Sequence, residues 1–149
     1  MVAPLKIGSW LVGAIPAEWE ILPDHGVRRA GQRVFPSTVV VTEEKLPEGM
    51  DLQKYIANQI VVMQHVLPEP NIQGPDRFTF PEVDEAQRLA VKYKSKDGRS
   101  VVQTQIYTGS AGLVGIVTFT TVEEELSGVS GAFRTIGSGL RFGKGKDKL

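Results

Sequence analysis

The sequence predicts an α+β protein, an antiparallel sheet with two helices packed on one of its faces. Three observations carry this. Gln87 to Thr120 alternates apolar and polar residues over three stretches joined by two tight-turn signals. Leu52 to Leu67 repeats apolar residues at three- and four-residue spacing, which puts them on one side of a helix. Thr121 to Ile136 repeats that pattern after a run of glutamates suited to a helix N-terminus. No internal repeat and no composition break divides the chain. It is expected to form one domain over 1–142, followed by a flexible basic tail at 143–149.

In chain order, Leu5 to Ala14 reads as a first strand, ended by a turn through Pro16, which cannot donate to a ladder. Trp19 is expected in the core. Pro23 to Arg33 is polar and glycine-bearing, the composition of a surface loop or loose hairpin tip. Val34 to Thr42 is β-branched and reads as a second strand. Leu46 to Met50 turns the chain, and Asp51 is placed to cap the helix that follows. Its apolar positions are Leu52, Tyr55, Ile56, Ile60, Met63, Val66 and Leu67, and Pro68 and Pro70 stop it. A short strand is expected around Phe78–Phe80. In the meander, Leu89, Val91 and Tyr93 precede an Asp97-Gly98 hairpin signal. The return strand, Val101 to Thr108, turns at Gly109–Gly112 into Leu113–Thr120. Thr121 and Glu124 have capping-box spacing. The second helix would present Leu126, Val129, Phe133 and Ile136 before Gly137–Gly139 ends it. Leu140–Phe142 reads as a last edge strand.

Seventeen basic and seventeen acidic residues cancel, which gives no electrostatic support for binding nucleic acid or an anionic membrane. No cysteine is present, so disulfides, thiol catalysis and cysteine-based zinc sites are excluded. No window approaches the ~20 apolar residues of a membrane span. The first residues lack the charged region and long apolar run of a signal peptide. The expectation is a cytoplasmic protein without stable membrane insertion, unless a signal precedes this sequence.

No catalytic or metal site is expected, and no cofactor. His25 and His65 are isolated from each other and from a third ligand. Gly109-Ser110-Ala111-Gly112 lacks the lysine of a phosphate loop and joins two strands. Ser127 to Gly131 falls inside a helix, not on a nucleophile elbow. The candidate binding residues are instead Gln103, Gln105 and Tyr107, on one face of the return strand, with Gln59 on the first helix. Either these amides face water, or they dot a largely apolar sheet surface and satisfy polar groups of a docked partner without adding charge. With both helices on one face, that surface would be the other face of the meander.

The segments PAEW, VVVTEEKLPEGMDLQKYIANQI, YKSKDGRSVVQTQIYT and GLVGIVTFTT, with the last helix, resemble the DcrB-related domains and cover nearly the whole chain. Within that group the cytoplasmic members resemble the Eag effector-associated chaperones of type VI secretion. The resemblance implies a PsbP-like α/β sandwich over 1–142, a homodimer, and a partner that is the hydrophobic N-terminal transmembrane helix of an effector. It matches Gln59 and Gln105 to client-contacting amides and Trp19 to a core tryptophan. A DcrB-like domain of another, envelope-associated role is the alternative it implies.

Overall fold

The computed structural model describes residues 4–23, 25–31, 36–80 and 83–143. In chain order its elements are β1 (Leu5–Ile7), β2 (Trp10–Val12), β3 (Trp19–Leu22), β4 (Gly26–Arg29), β5 (Thr38–Lys45), α1 (Leu52–Val66), β6 (Asn71–Phe80), β7 (Val83–Lys94), β8 (Ser100–Ser110), β9 (Leu113–Val122), α2 (Leu126–Ser138) and β10 (Leu140–Phe142). The meander is the heart of a seven-stranded sheet ordered β3-β4-β5-β9-β8-β7-β6, and a second, three-stranded sheet is ordered β1-β2-β10. Every strand pair is antiparallel. The tight turns fall where the sequence puts them. Gly98 (φ 84°) sits at the β7–β8 tip, and Ala111 (φ 51°) and Gly112 (φ 80°) form the two-residue β8–β9 turn.

The α+β class and the antiparallel sheet hold, but the two helices do not share a face. Tyr55, Ile56 and Met63 of α1 pack with Leu89, Val91, Tyr107 and Val114. Ile136, with Phe133 and Ala132, packs from α2 onto Ile106, Val117 and Phe119, joined by Trp10, Val12, Leu140 and Phe142 of the small sheet. Ile106 and Tyr107 are consecutive on β8, so their side chains point to opposite faces. The helices therefore lie on opposite sides of the seven-stranded sheet. The physical reason is visible in β9, where Leu113, Val114, Ile116, Val117 and Phe119 put apolar residues on both faces. One face could not bury them all.

Several elements are built differently from their sequence reading. The stretch read as one strand from Leu5 to Ala14 is the β1–β2 hairpin, because Gly8 (φ 56°) turns the chain. The stretch read as a loop from Pro23 contains β4, which pairs with both β3 and β5. β5 starts at Thr38, and residues 32–35 lie outside the described set. The strand expected around Phe78 begins already at Asn71 and carries register shifts past Gly74-Pro75. The capping box does not form. Thr121 is buried and bonds its hydroxyl to that of Ser37 (2.8 Å), Glu124 pairs with Arg99 (2.6 Å), and Glu123–Glu125 make a 3-10 turn before α2. Asp51 does cap α1, accepting from the Lys54 amide at 2.8 Å. Of the basic tail, only Gly143 is described.

Candidate functional site

The alternation of β8 puts Gln103, Gln105 and Tyr107 on the face that carries α1. α1 runs antiparallel to β8, with Tyr55 edge-on to Tyr107 (centroids 6.2 Å apart) and Met63 above Gln105. Three of the four predicted binding residues form one hydrogen-bonded chain. The Tyr107 hydroxyl donates to Gln105 Oε1 (2.6 Å), and Gln105 Nε2 donates to Gln103 Oε1 (3.0 Å) and to Met63 Sδ (3.4 Å). Gln105 and Tyr107 are 9% and 2% exposed, so their polar atoms serve the α1–sheet junction. Gln103 is half-buried at the margin of that junction. Gln59, one turn before Met63 on α1, is half-buried too and outside the hydrogen-bonded chain. Burial, and secondarily the negative charge of Glu44, push the Tyr107 phenol up to about 12. The Tyr55 hydroxyl, buried beside this chain, has no hydrogen-bond partner among the described residues.

Beside α1 the same face carries no further element among the described residues. The rows Thr38–Thr120–Gln103, Val40–Thr118–Gln105 and Thr42–Ile116–Tyr107 run from β5 across β9 to β8. In each row the β8 member is at or under the helix. The β5 and β9 members are half-buried or, at Thr42, exposed. Among the described residues no second helix covers them, and only Ile116 packs against the α1 cluster. Gln59, Val62 and Val66 lie on one ridge of α1 at i, i+3 and i+7. The helix direction and its right-handed winding turn this ridge toward β9. Val62 and Val66 are 51% and 67% exposed there.

The size of the bare strip is that of one helix. Helices pack with axes ~8–10 Å apart, and strands lie ~4.8 Å apart. A helix alongside α1 would therefore rest two strands away, over β9 and β5. From Thr38 to Glu44 the strip is roughly 20 Å long, room for about 13 helical residues. Between its ends its side chains are hydroxyls, methyls and an amide, with no charge.

Thr38, Val40, Thr42, Thr118 and Thr120 were not singled out by sequence reasoning. The available signal was threonine recurring on one face of each strand, at Thr38 and Thr42 of β5 and Thr118 and Thr120 of β9, opposite Val39, Val41, Val117 and Phe119, which the core takes. Other places on the molecule are less suited to a site. A hollow of about 730 Å³ at the β7–β8 tip is lined by Lys94, Asp97, Arg99, Glu123 and Glu124. There Arg99 is already paired with Asp97 and Glu124. His25 and His65 each bond a nearby backbone carbonyl, and no group of three or more metal-ligating side chains occurs among the described residues.

No protein-family model matches the chain, and no curated protein sequence does. Solved structures do match. LpqN of Mycobacterium tuberculosis, involved in cell envelope biogenesis, superposes with a TM-score of 0.63 at 20% identity, covering 92% of this chain and 87% of its own. PA94 of Pseudomonas aeruginosa, a protein of unknown function, gives 0.62 at 16% identity, covering 91% of this chain and 92% of that one. The cyanobacterial PsbP of Synechocystis gives 0.60 at 12% identity, covering 91% and 87%. The fold is therefore PsbP-like. At these identities the likeness speaks to fold alone.

Proposed function

We propose that this chain is a non-catalytic binding protein that shields a hydrophobic helix of another protein, held on the β5–β9 strip alongside α1. The observation that supports it is the helix-wide, uncharged strip walled by Gln59, Val62 and Val66. An apolar segment exposed to water needs such cover. Threonine hydroxyls and the Gln103 amide can meet the few polar atoms of the occupant without burying a charge. The resemblance to Eag chaperones gives the finer reading. The client is the N-terminal transmembrane segment of a type VI secretion effector, held in the cytoplasm before export by a homodimer. On this reading Gln105 and Tyr107 act from below, by fixing the α1 wall, while Gln59 and Gln103 are placed to touch the client.

The test is co-expression with a reporter fused to an apolar N-terminal segment of about 20 residues. The wild type is expected to raise soluble recovery and to co-purify. Val40→Asp and Thr118→Lys, each placing a charge mid-strip at a half-buried site, are expected to abolish both while leaving the circular dichroism spectrum unchanged. Undiminished recovery with both variants folded would overturn the reading. LpqN's place in envelope biogenesis motivates the alternative of an envelope-associated domain. Recovery of the native protein in the envelope fraction, with no client effect, would favour that alternative.

A further inference from the structure

The strip is neutral along its length but not at its ends, and the two ends differ. At one corner Arg28 stands beside Thr38 on the α1 face, and its guanidinium is ion-paired with Glu20 of β3. At the opposite end Glu44 stands beside Val114, exposed, with no ion-pair partner among the described residues. It shares the α1 face with Thr42, Val40 and Thr38 by strand alternation. The reach of its charge into the junction shows at the neighbouring Tyr107, where it helps keep the phenol protonated.

Resting on the helix-shielding reading, we propose that Glu44 is a specificity determinant: the strip takes an uncharged helix with a lysine or arginine just beyond one end, and that basic end lies at Glu44. A helix filling the roughly 20 Å between Thr38 and Glu44 brings its flanking residue to the Glu44 carboxylate. The interior of the strip selects against charge, because a buried, unpaired ion is costly. The Glu44 end alone offers an uncompensated opposite charge. An acidic flank there would face like charge, and at the other end the Arg28–Glu20 pair is neutralised and offers a basic flank no free counter-charge. The discrimination therefore comes from the Glu44 end.

Because the chain has no cysteine, single cysteines report position without background. The probe is a synthetic leucine–alanine–threonine helix of about 13 residues, the length of the strip, with two lysines and a cysteine added at one end. A matching peptide without the lysines normalises for the accessibility of each site. Thr42→Cys marks the Glu44 end and Thr38→Cys the other. After normalisation, the lysine peptide is expected to cross-link Thr42→Cys over Thr38→Cys by about threefold or more, the size of a partly exposed charge pair. Glu44→Lys is expected to reverse the preference, and so is replacing the peptide's lysines by glutamates. Equal cross-linking at both positions would overturn the orienting role of Glu44 while leaving the strip as a helix site. Failure of every peptide to cross-link either position would overturn the helix-shielding reading beneath it.

Discussion

Gln105 of β8 donates its side-chain N–H to the Met63 thioether of α1 across 3.4 Å, while its carbonyl accepts from Tyr107. One amide thus ties the helix to the sheet and satisfies a buried phenol. Thioethers are weak acceptors, so the tie to Met63 is the weakest link of the chain and the Tyr107 bond the one to test. Gln105→Leu is expected to destabilise the protein by about 1–3 kcal/mol, because Tyr107 loses a buried acceptor. Tyr107→Phe made together with it should cost less than the sum of the two single changes. Urea titration of the four proteins measures the coupling, and additivity would show that the two side chains do not act as a pair.

Tyr55 offers a change of opposite sign. Its hydroxyl is buried with no partner among the described residues, so Tyr55→Phe removes a desolvated polar group and keeps the ring against Tyr107. Stability is expected to rise by about 1 kcal/mol, read as a higher urea midpoint at unchanged slope. A lower midpoint would mean that the hydroxyl finds a partner in solution.

The raised phenol of Tyr107 makes alkaline stability a reporter of the junction. In the unfolded chain the group ionises near ~10, and in the folded protein only at about 12. Below the lower value both states hold the proton and its contribution is intact. Between the two the unfolded state alone loses it, so stability falls as pH rises through this window, by about 2–3 kcal/mol in all. Tyr107→Phe should remove that slope. The difference between wild-type and variant denaturation curves at successive pH values isolates it from other titrating groups. An identical decline in both would place the ionisation elsewhere.

Adding one methyl should act in opposite directions at two glycines. At Gly115 of β9 a Cβ would lie 2.7 Å from the Phe142 ring, which packs at a tilt against Trp10 with centroids 4.8 Å apart. Gly115→Ala is expected to cost about 1–3 kcal/mol through overpacking and to shift Trp10 fluorescence. At Gly131, exposed within α2, the nearest atom to a Cβ is 4.0 Å away at the end of the Arg134 side chain. There the alanine should stabilise by up to about 1 kcal/mol. Thermal melts of both variants decide the matter, and equal signs would contradict the packing described.

The meander, the first helix and both tight turns were legible because each rests on a local signal. Alternation at Leu89–Tyr93, three- and four-residue spacing from Leu52, and glycines at Gly98 and Gly112 are all readable within a few residues. What was not legible depended on partners far away in sequence. Thr121 has a capping residue's chemistry, yet Ser37 claims its hydroxyl from another strand. β4 carries little apolar signal of its own and becomes a strand because β3 and β5 flank it. The face assignment failed for a related reason: β9 is apolar on both sides, and alternation says only that Tyr107 and Ile106 diverge, not which helix each meets. The grouping of Gln103, Gln105 and Tyr107 on one strand face was readable. That α1 would lie over two of them, displacing the open surface to the threonines of β5 and β9, was not.

The small sheet closes the chain on itself. β2 pairs on one side with β1, a few residues away, and on the other with β10, with Val12 opposite both Leu5 and Leu140. During synthesis the second edge of β2 waits until nearly the whole described sequence has left the ribosome. Phe142, arriving with that last strand, is also the ring that covers Gly115 and Trp10. The helix and strands of the α1 side are all present in the chain by residue 122. The opposite layer is sealed only once residue 142 is available to pair, so of the two layers it is the one that depends on the longest stretch of chain.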